Sequence, residues 1–200
     1  KVVRNFMVEL SREQLSKRSI NRKLSTLHSF YLYLLKIGEI DVSPMESIQT
    51  LKFYAEKQIP FSEDEMNQLS ESELYASEEN FLKKLIIETL YQTGIRKSEL
   101  CSLLHENVDF SKKELRIIGK GNKTRIVPVS DELLKNLEKF NSGRRPEEDA
   151  QKYFFITKRG KKLNPKFVYL AVNSYFSTVT SKQKKSPHIL RHSFATHVLG

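Results

Sequence analysis

The part of the sequence that narrows the fold most is the stretch at residues 187–197, which reads PHILRHSFATH. Proline suits the first turn of a helix, where its missing N–H is not needed, so Pro187 is predicted to begin a helix. His188 and Arg191 are three residues apart and therefore project from the same side of that helix. The residues predicted to pack inward are Ile189, Leu190 and Phe194. The stretch thus predicts a packed helix with one basic face, on which His188 can exchange a proton near neutral pH.

A second basic position follows another predicted helix, at residues 78–92. The segment at 94–100 reads GIRKSEL, and its arginine, Arg96, directly follows the helix stop. Arg96 lies between two elements of secondary structure that restrain its backbone, so its guanidinium can be held in one direction. Glu99 lies three residues further on, within reach of that guanidinium. A surface arginine beside a helix-start glutamate is the alternative interpretation of this segment alone.

A third group of cations lies on a predicted β-hairpin. Two β-type segments, 114–118 and 124–129, flank the turn GKGNK. Lys120 lies between two glycines, where the backbone bends tightly and a flexible ammonium can reach across a cleft. Lys123 and Arg125 are assigned to the same tip, facing solvent or phosphate. A lysine-rich tip that only favours solubility is the alternative.

The two histidines His188 and His192 also have the spacing of two metal ligands on one helix. No glutamate follows His188, as a hydrolytic zinc motif requires, and no Cys/His cluster has zinc-finger spacing. The sequence therefore predicts no metal and no cofactor.

Composition excludes several classes of protein. The 200 residues include 34 Lys and Arg against 24 Asp and Glu, a formal net charge of +10, and 38% are hydrophobic. A single cysteine, Cys101, cannot form an internal disulfide, and the longest apolar run, at 30–35, is too short to span a bilayer. We therefore expect a soluble, cytoplasmic protein that does not associate with membranes. Its excess positive charge is suited to a polyanion.

Hydrophobic periodicity predicts a mainly α fold with a small antiparallel β-sheet. A helix is predicted over 19–37, and the helical pattern then lapses between two prolines. The predicted organisation is a helical part at 1–40, an interdomain linker at 41–60 and a larger domain at 61–200. Ser62 and Glu65 predict a capped helix at the start of the larger domain.

Cations crowd the first turns of the helix at 19–37. Arg18, Arg22 and Lys23 oppose the helix dipole there, so the stability of the helix does not account for them. A second basic group lies at 158–162 and 182–185. Two basic groups on two domains predict a clamp on a polyanion, made by charge contacts that give salt-sensitive affinity. An ordinary solvated surface is the alternative for either group.

The order GIRxSEL, GKGNK and HILRHSFATH resembles the tyrosine recombinase (phage integrase) family, and within it the Xer-type site-specific recombinases. The resemblance covers essentially the whole chain. It implies that residues 1–40 are the C-terminal part of a helical, SAM-like core-binding domain and that 61–200 are the catalytic domain. The family's nucleophilic tyrosine and its further His or Trp follow the HxxR motif. We therefore expect both beyond Gly200, and we expect this fragment itself to be inactive.

The resemblance also implies roles for individual residues. The catalytic residues it assigns are Arg96, Lys120, His188 and Arg191, with Glu99 in support. The resemblance makes DNA the expected polyanion, and the charge pattern, not the family motif, assigns to DNA binding the residues Arg18, Arg22, Lys23, Lys123 and Arg125. The implied reaction cuts and rejoins double-stranded DNA through a 3′-phosphotyrosyl link, without a cofactor. It is carried out by a tetramer on DNA or with a paired recombinase.

Three functions are compatible with these residues. The first is Xer-like chromosome dimer resolution, the second is a transposon or phage integrase with the same chemistry, and the third is a catalytically silent DNA-binding relative. Retention of all four matched polar residues favours an enzyme over a silent relative.

Overall fold

The computed structural model describes residues 2–54, 59–71 and 77–199. The chain divides into two compact units, Lys1–Lys57 and Gln58–Gly200, and each has its own hydrophobic core. The described residues are mainly helical with one three-stranded antiparallel sheet, which confirms the predicted fold class. Among them, no helix combines the length and the apolar character needed to cross a bilayer.

The first unit is built on two helices, α1 (Val2–Arg12) and α2 (Lys17–Lys36). Ser16 caps α2 by accepting a hydrogen bond from the N–H of Ser19. This cap explains why α2 begins two residues before the predicted helix at 19–37. The buried core of the unit consists of Val3, Leu10, Ile20, Leu24 and Met45.

Part of the predicted linker at 41–60 packs on the first unit. Met45 is buried in its core. The side chain of Asn21 on α2 donates to the carbonyl of Leu51 and accepts from its N–H, both at 2.8 Å. The described part of this segment contains no helix; backbone turns and the two bonds from Asn21 to Leu51 hold it instead. Residues 55–58 of the predicted linker lie outside the described residues.

The second unit surrounds one buried helix. Its helices are α3 (Glu63–Glu71), α4 (Glu78–Thr93), α5 (Lys97–Cys101), α6 (Asp131–Gly143), α7 (Pro165–Val179) and α8 (Pro187–Leu199). Helix α4 is buried along most of its length and contacts α6, α7 and α8. The predicted cap of α3 is confirmed, because Ser62 and Glu65 each accept a hydrogen bond from the other's backbone N–H.

The sheet has the order β1 (Val108–Asp109), β2 (Glu114–Ile118), β3 (Thr124–Pro128), with both pairs antiparallel. In the β2–β3 pair, Ile117 is opposite Arg125 and Arg116 is opposite Ile126. Residues directly opposite each other share a face of the sheet. Because Ile117 is buried, Arg125 lies on the covered face and Arg116 on the exposed one.

The peptide between Pro60 and Phe61 is held from both sides at the start of the described part of the second unit. The N–H of Phe61 donates to the hydroxyl of Ser193 on α8 at 2.8 Å. The carbonyl of Pro60 accepts from Nζ of Lys182 at 2.7 Å. The ring of Phe61 is fully buried and stacks on Phe176 of α7, with ring centroids 3.7 Å apart. The start of this unit is thereby fixed to α7 and α8.

Candidate active site

The end of α4 brings the backbone of the GIRKSEL segment against α8. Gly94 ends α4 in the left-handed conformation, with φ 57°. A Cβ at this position would overlap the ring of Phe194 on α8. Only glycine combines that backbone conformation with so close an approach of α8. The residues that follow, including Arg96, therefore start beside α8.

Glu99 is a buried carboxylate that receives four hydrogen bonds from two arginines. The backbone N–H of Arg96 donates to its Oε2 at 2.7 Å, and Nη1 of Arg96 donates to its Oε1 at 2.8 Å. Arg125, on β3, donates from Nη1 to Oε1 at 3.1 Å and from Nη2 to Oε2 at 2.7 Å. Each carboxylate oxygen therefore has one partner at the start of α5 and one on the hairpin.

These contacts keep Glu99 ionised. Burial by itself raises the pKa of this carboxyl, but the hydrogen bonds from Arg125 and Arg96 outweigh burial and lower its pKa to about 2. The same hydrogen bonds from Arg125 to Glu99 raise the pKa of Arg125. At neutral pH the group is thus a permanent carboxylate between two guanidinium ions.

Arg191 lies on α8 at the same place. Its side chain is half-buried, and Nη1 donates to the carbonyl of Gly94, two residues before Arg96. Burial lowers the pKa of Arg191, the charges of Arg96 and Arg125 lower it further, and Glu99 opposes them. Three guanidinium groups thus interact with one carboxylate, leaving a formal excess of two positive charges. Such a group is suited to the nonbridging oxygens of a phosphate.

Lys120 stands at the tip of the hairpin. It begins a short 3-10 turn, Lys120–Asn122, and its side chain is exposed. The base of the hairpin closes at Gly119, whose N–H donates to the carbonyl of Lys123 at 2.8 Å. A Cβ built on Gly119 would lie 3.3 Å from Nη1 of Arg125 and 3.4 Å from Oε1 of Glu99. The base of the hairpin therefore packs on the ion pair, and the tip carries Lys120 into solvent.

The histidines of α8 have different surroundings. His188, in the first turn of α8, and His192 are both exposed. Nδ1 of His197 is 2.7 Å from the hydroxyl of Tyr91 on α4, a contact that joins two helices. Within the described ranges, no group of three or more His, Cys, Asp or Glu is placed to hold a metal ion.

The structure therefore brings Arg96, Glu99 and Arg191 together and leaves the side chains of Lys120 and His188 exposed. The sequence motifs did not indicate that Arg125 belongs to the same cluster. The available signal was its alternation with Val127 and Val129, which places it on the covered face of the hairpin.

The cations assigned to DNA binding lie in both units. Arg18, Arg22 and Lys23 are exposed on the first turns of α2, and Lys123 is exposed at the hairpin. Arg125 differs from its predicted position on the tip, because its guanidinium is bound to Glu99. Lys182, included in the second basic group, is also engaged internally, with Nζ 2.6 Å from Glu65 Oε2.

The chain is similar to proteins of a known family. Residues 46–200 match the phage integrase family, and residues 1–38 match the N-terminal SAM-like domain of phage integrases. The tyrosine recombinase XerC of Chlorobaculum parvum is 36% identical over 222 aligned residues, which cover 98% of this chain and 66% of that protein. The chain belongs to the phage integrase family of tyrosine recombinases.

Two solved structures have the same fold. The Tn1549 transposon integrase in complex with circular intermediate DNA superposes with a TM-score of 0.74 at 19% identity, over 98% of this chain and 70% of that one. The XerA recombinase superposes with a TM-score of 0.60 at 26% identity, over 99% and 68%. The chain spans only part of the length of the curated relatives it matches, 66% of the Chlorobaculum parvum protein and 65% of the tyrosine recombinase XerC of Pelobacter propionicus.

Proposed function

We propose that the protein is a Xer-like site-specific tyrosine recombinase that cuts and rejoins DNA strands. The observation that carries the proposal is the meeting of Arg96 and Arg191, from distant parts of the chain, around the buried carboxylate of Glu99. The 30–36% identity to tyrosine recombinases named XerC favours the Xer-like role over that of a mobile-element integrase.

The chemistry follows from charge. A tyrosine hydroxyl attacks the phosphorus of a phosphodiester, the bond to the 5′ oxygen breaks, and a 3′-phosphotyrosyl link forms. Negative charge increases on the nonbridging oxygens in the transition state, where the guanidinium forks of Arg96 and Arg191 each donate two hydrogen bonds. Because the bond energy is kept in the phosphotyrosyl link, religation needs neither ATP nor a metal.

The two exposed residues are assigned to proton transfer. Lys120, on the hairpin tip, is assigned to protonate the leaving 5′ oxygen. His188, three residues before Arg191 on α8, is assigned to exchange a proton near neutral pH. The tyrosine nucleophile is expected C-terminal to α8, as in the family's motif order.

The proposal extends to organisation and partners. Residues 1–40 are assigned to a helical DNA-binding domain and 61–200 to the catalytic domain. The proposed partner is a double-stranded DNA target site. The protein is proposed to bind this site either as a homo-oligomer, which is a tetramer on DNA, or together with a paired recombinase. The proposed location is the cytoplasm.

The test is covalent trapping by the full-length protein on a nicked DNA target, where loss of the short cleaved fragment prevents religation. Wild-type protein is expected to form a protein–DNA adduct that survives denaturation. Arg191→Ala is expected to slow adduct formation by a factor of about 10² to 10³, the usual effect of losing one preorganised donor.

Arg116→Ala is the matched control, because it removes an exposed arginine from β2 and should leave the adduct unchanged. Adduct formation by Arg191→Ala at the wild-type rate contradicts the assignment of Arg191. DNA binding by the wild-type protein without any adduct identifies a silent DNA-binding relative.

A further inference from the structure

We propose that Arg125 is a positioning residue for strand cleavage: by binding Glu99, it holds the guanidinium of Arg96 and the base of the Lys120 hairpin in fixed positions. The inference rests on the proposed function and assigns Arg125 a role other than phosphate contact.

The first support is the sharing of one carboxylate between two elements. Glu99 is 6% exposed, and its hydrogen bonds come from the start of α5 and from β3 in equal number. The side chain of Arg96 is 55% exposed, so the link to Glu99 is what restrains its guanidinium. Without Arg125, two of the four hydrogen bonds to Glu99 are lost, and a buried carboxylate is left with Arg96 alone. The orientation of the Arg96 guanidinium then depends on a buried carboxylate that has lost half of its hydrogen bonds.

The second support is the position of Arg125 in the sheet. It faces the covered side, opposite the buried Ile117, where a charge is costly unless it is paired. Its side chain is still 38% exposed, and the fork of its guanidinium matches both oxygens of Glu99. A residue with this position and this partner joins β3 to α5.

The third support is the contact at the base of the hairpin. Gly119 lies against the Arg125–Glu99 pair, so close that an added Cβ would be in contact with both side chains. Lys120 is the next residue along the chain. The ion pair therefore supports the point from which the hairpin tip projects.

The experiment measures single-turnover cleavage of the nicked DNA target by the full-length protein. Arg125→Gln is expected to slow cleavage about tenfold to a hundredfold, by analogy with the range for residues that orient metal ligands from the outer shell. DNA affinity and its dependence on salt are expected to stay at wild-type values. Arg125→Lys keeps the charge without the fork and is expected to restore part of the rate. Arg116→Gln, on the opposite face of the same sheet, is the control and is expected to cleave normally.

A double-mutant cycle with Glu99→Gln separates the two possible roles of Arg125. If Arg125 acts through Glu99, the variant with both substitutions cleaves no more slowly than Glu99→Gln alone. A direct phosphate contact instead predicts that the two rate losses multiply and that the slope of log affinity against log salt falls by about 1.

The titration of Glu99 gives a further readout, because burial raises the pKa of this carboxyl and the side-chain hydrogen bonding from Arg125 is the largest single cause that lowers it. The other charged groups facing Glu99 are Arg96 and Arg191. In Arg125→Gln the carboxyl is expected to protonate at a higher pH, so the midpoint of its ¹³C NMR titration moves upward. An unchanged midpoint contradicts the link between Arg125 and Glu99.

Wild-type cleavage rates in Arg125→Gln, or multiplied losses in the cycle, overturn the inference and leave the proposed function standing. Absence of any adduct with the wild-type protein overturns the proposed function itself. Thermal unfolding followed by circular dichroism verifies that each variant is folded. Should Arg125→Gln unfold, Arg125→Lys compared with Arg116→Lys makes the same test.

Discussion

At the scale of single residues, the carboxyl of Glu99 has the most perturbed environment in the cluster. Its pKa of about 2 in the folded protein lies below the ordinary value near 4.5, so its ionised form stabilises the fold. That contribution is complete above about pH 4.5 and is lost as the pH falls towards 2. We expect a ¹³C NMR titration of the Glu99 side chain to give a midpoint near 2.

A Glu99 midpoint near the ordinary value of 4.5 would contradict the four hydrogen bonds described for Glu99.

Residue spacing explains which parts of this cluster are visible in the sequence. Arg96 and Glu99 are three apart, and His188 and Arg191 are also three apart, so each pair is recognisable locally. The contact of Arg125 with Glu99 joins β3 to α5, and a local pattern does not contain it. Ile126 also gives a misleading signal, because an apolar residue is expected on the covered face of the sheet. In the structure Ile126 is 49% exposed and Arg125 lies on the covered face.

At the scale of elements, the junction of α4 and α8 depends on Gly94. Replacing it with alanine imposes a left-handed conformation on a residue with a Cβ and overlaps the ring of Phe194. We expect Gly94→Ala to lower the free energy of unfolding by about 2–4 kcal/mol, the sum of backbone strain and overpacking. Chemical denaturation followed by circular dichroism measures this loss.

Gly143→Ala is the matched control in the same unit. Gly143 ends α6 with ordinary φ, and an added Cβ meets nothing within 4 Å. We expect this change to be neutral or slightly stabilising, because alanine favours helix over glycine. Equal destabilisation by the two substitutions would contradict the role described for Gly94.

Helix ends were predictable where a cap marks them, as with Ser62 and Glu65 at α3. The sequence pattern also predicts a short helix over 97–104, but α5 ends at Cys101 in the structure. Its apolar residues continue the helical pattern, but Leu103 and Leu104 leave the helix to bond the chain near Phe154 and Tyr153. Tertiary contacts of this kind override local periodicity and cannot be inferred from it.

At the scale of the whole molecule, the positive charge at the start of α2 does not stabilise the helix but is suited to an anionic partner. No acidic residue lies in its first turn, and Arg18, Arg22 and Lys23 are exposed there. We expect Arg22→Gln to reduce the salt slope of DNA binding by about 0.9, the contribution of one phosphate contact. Fluorescence anisotropy over a range of salt concentrations measures the slope.

Lys36→Gln is the control, since Lys36 is an exposed cation at the other end of the same helix. Its slope is expected to match that of the wild-type protein. Equal slopes for Arg22→Gln and the wild-type protein would remove Arg22 from the predicted DNA contacts.

The attachment of the Pro60–Phe61 peptide has a mechanical consequence. Tension in the chain before Pro60 is resisted by Lys182 and by Ser193, and Ser193 is only two positions beyond Arg191. Tension transmitted along the backbone therefore acts on α8, which carries Arg191, before it acts on the hairpin that carries Lys120. Arg191 is thus more directly connected to the chain before Pro60 than Lys120 is.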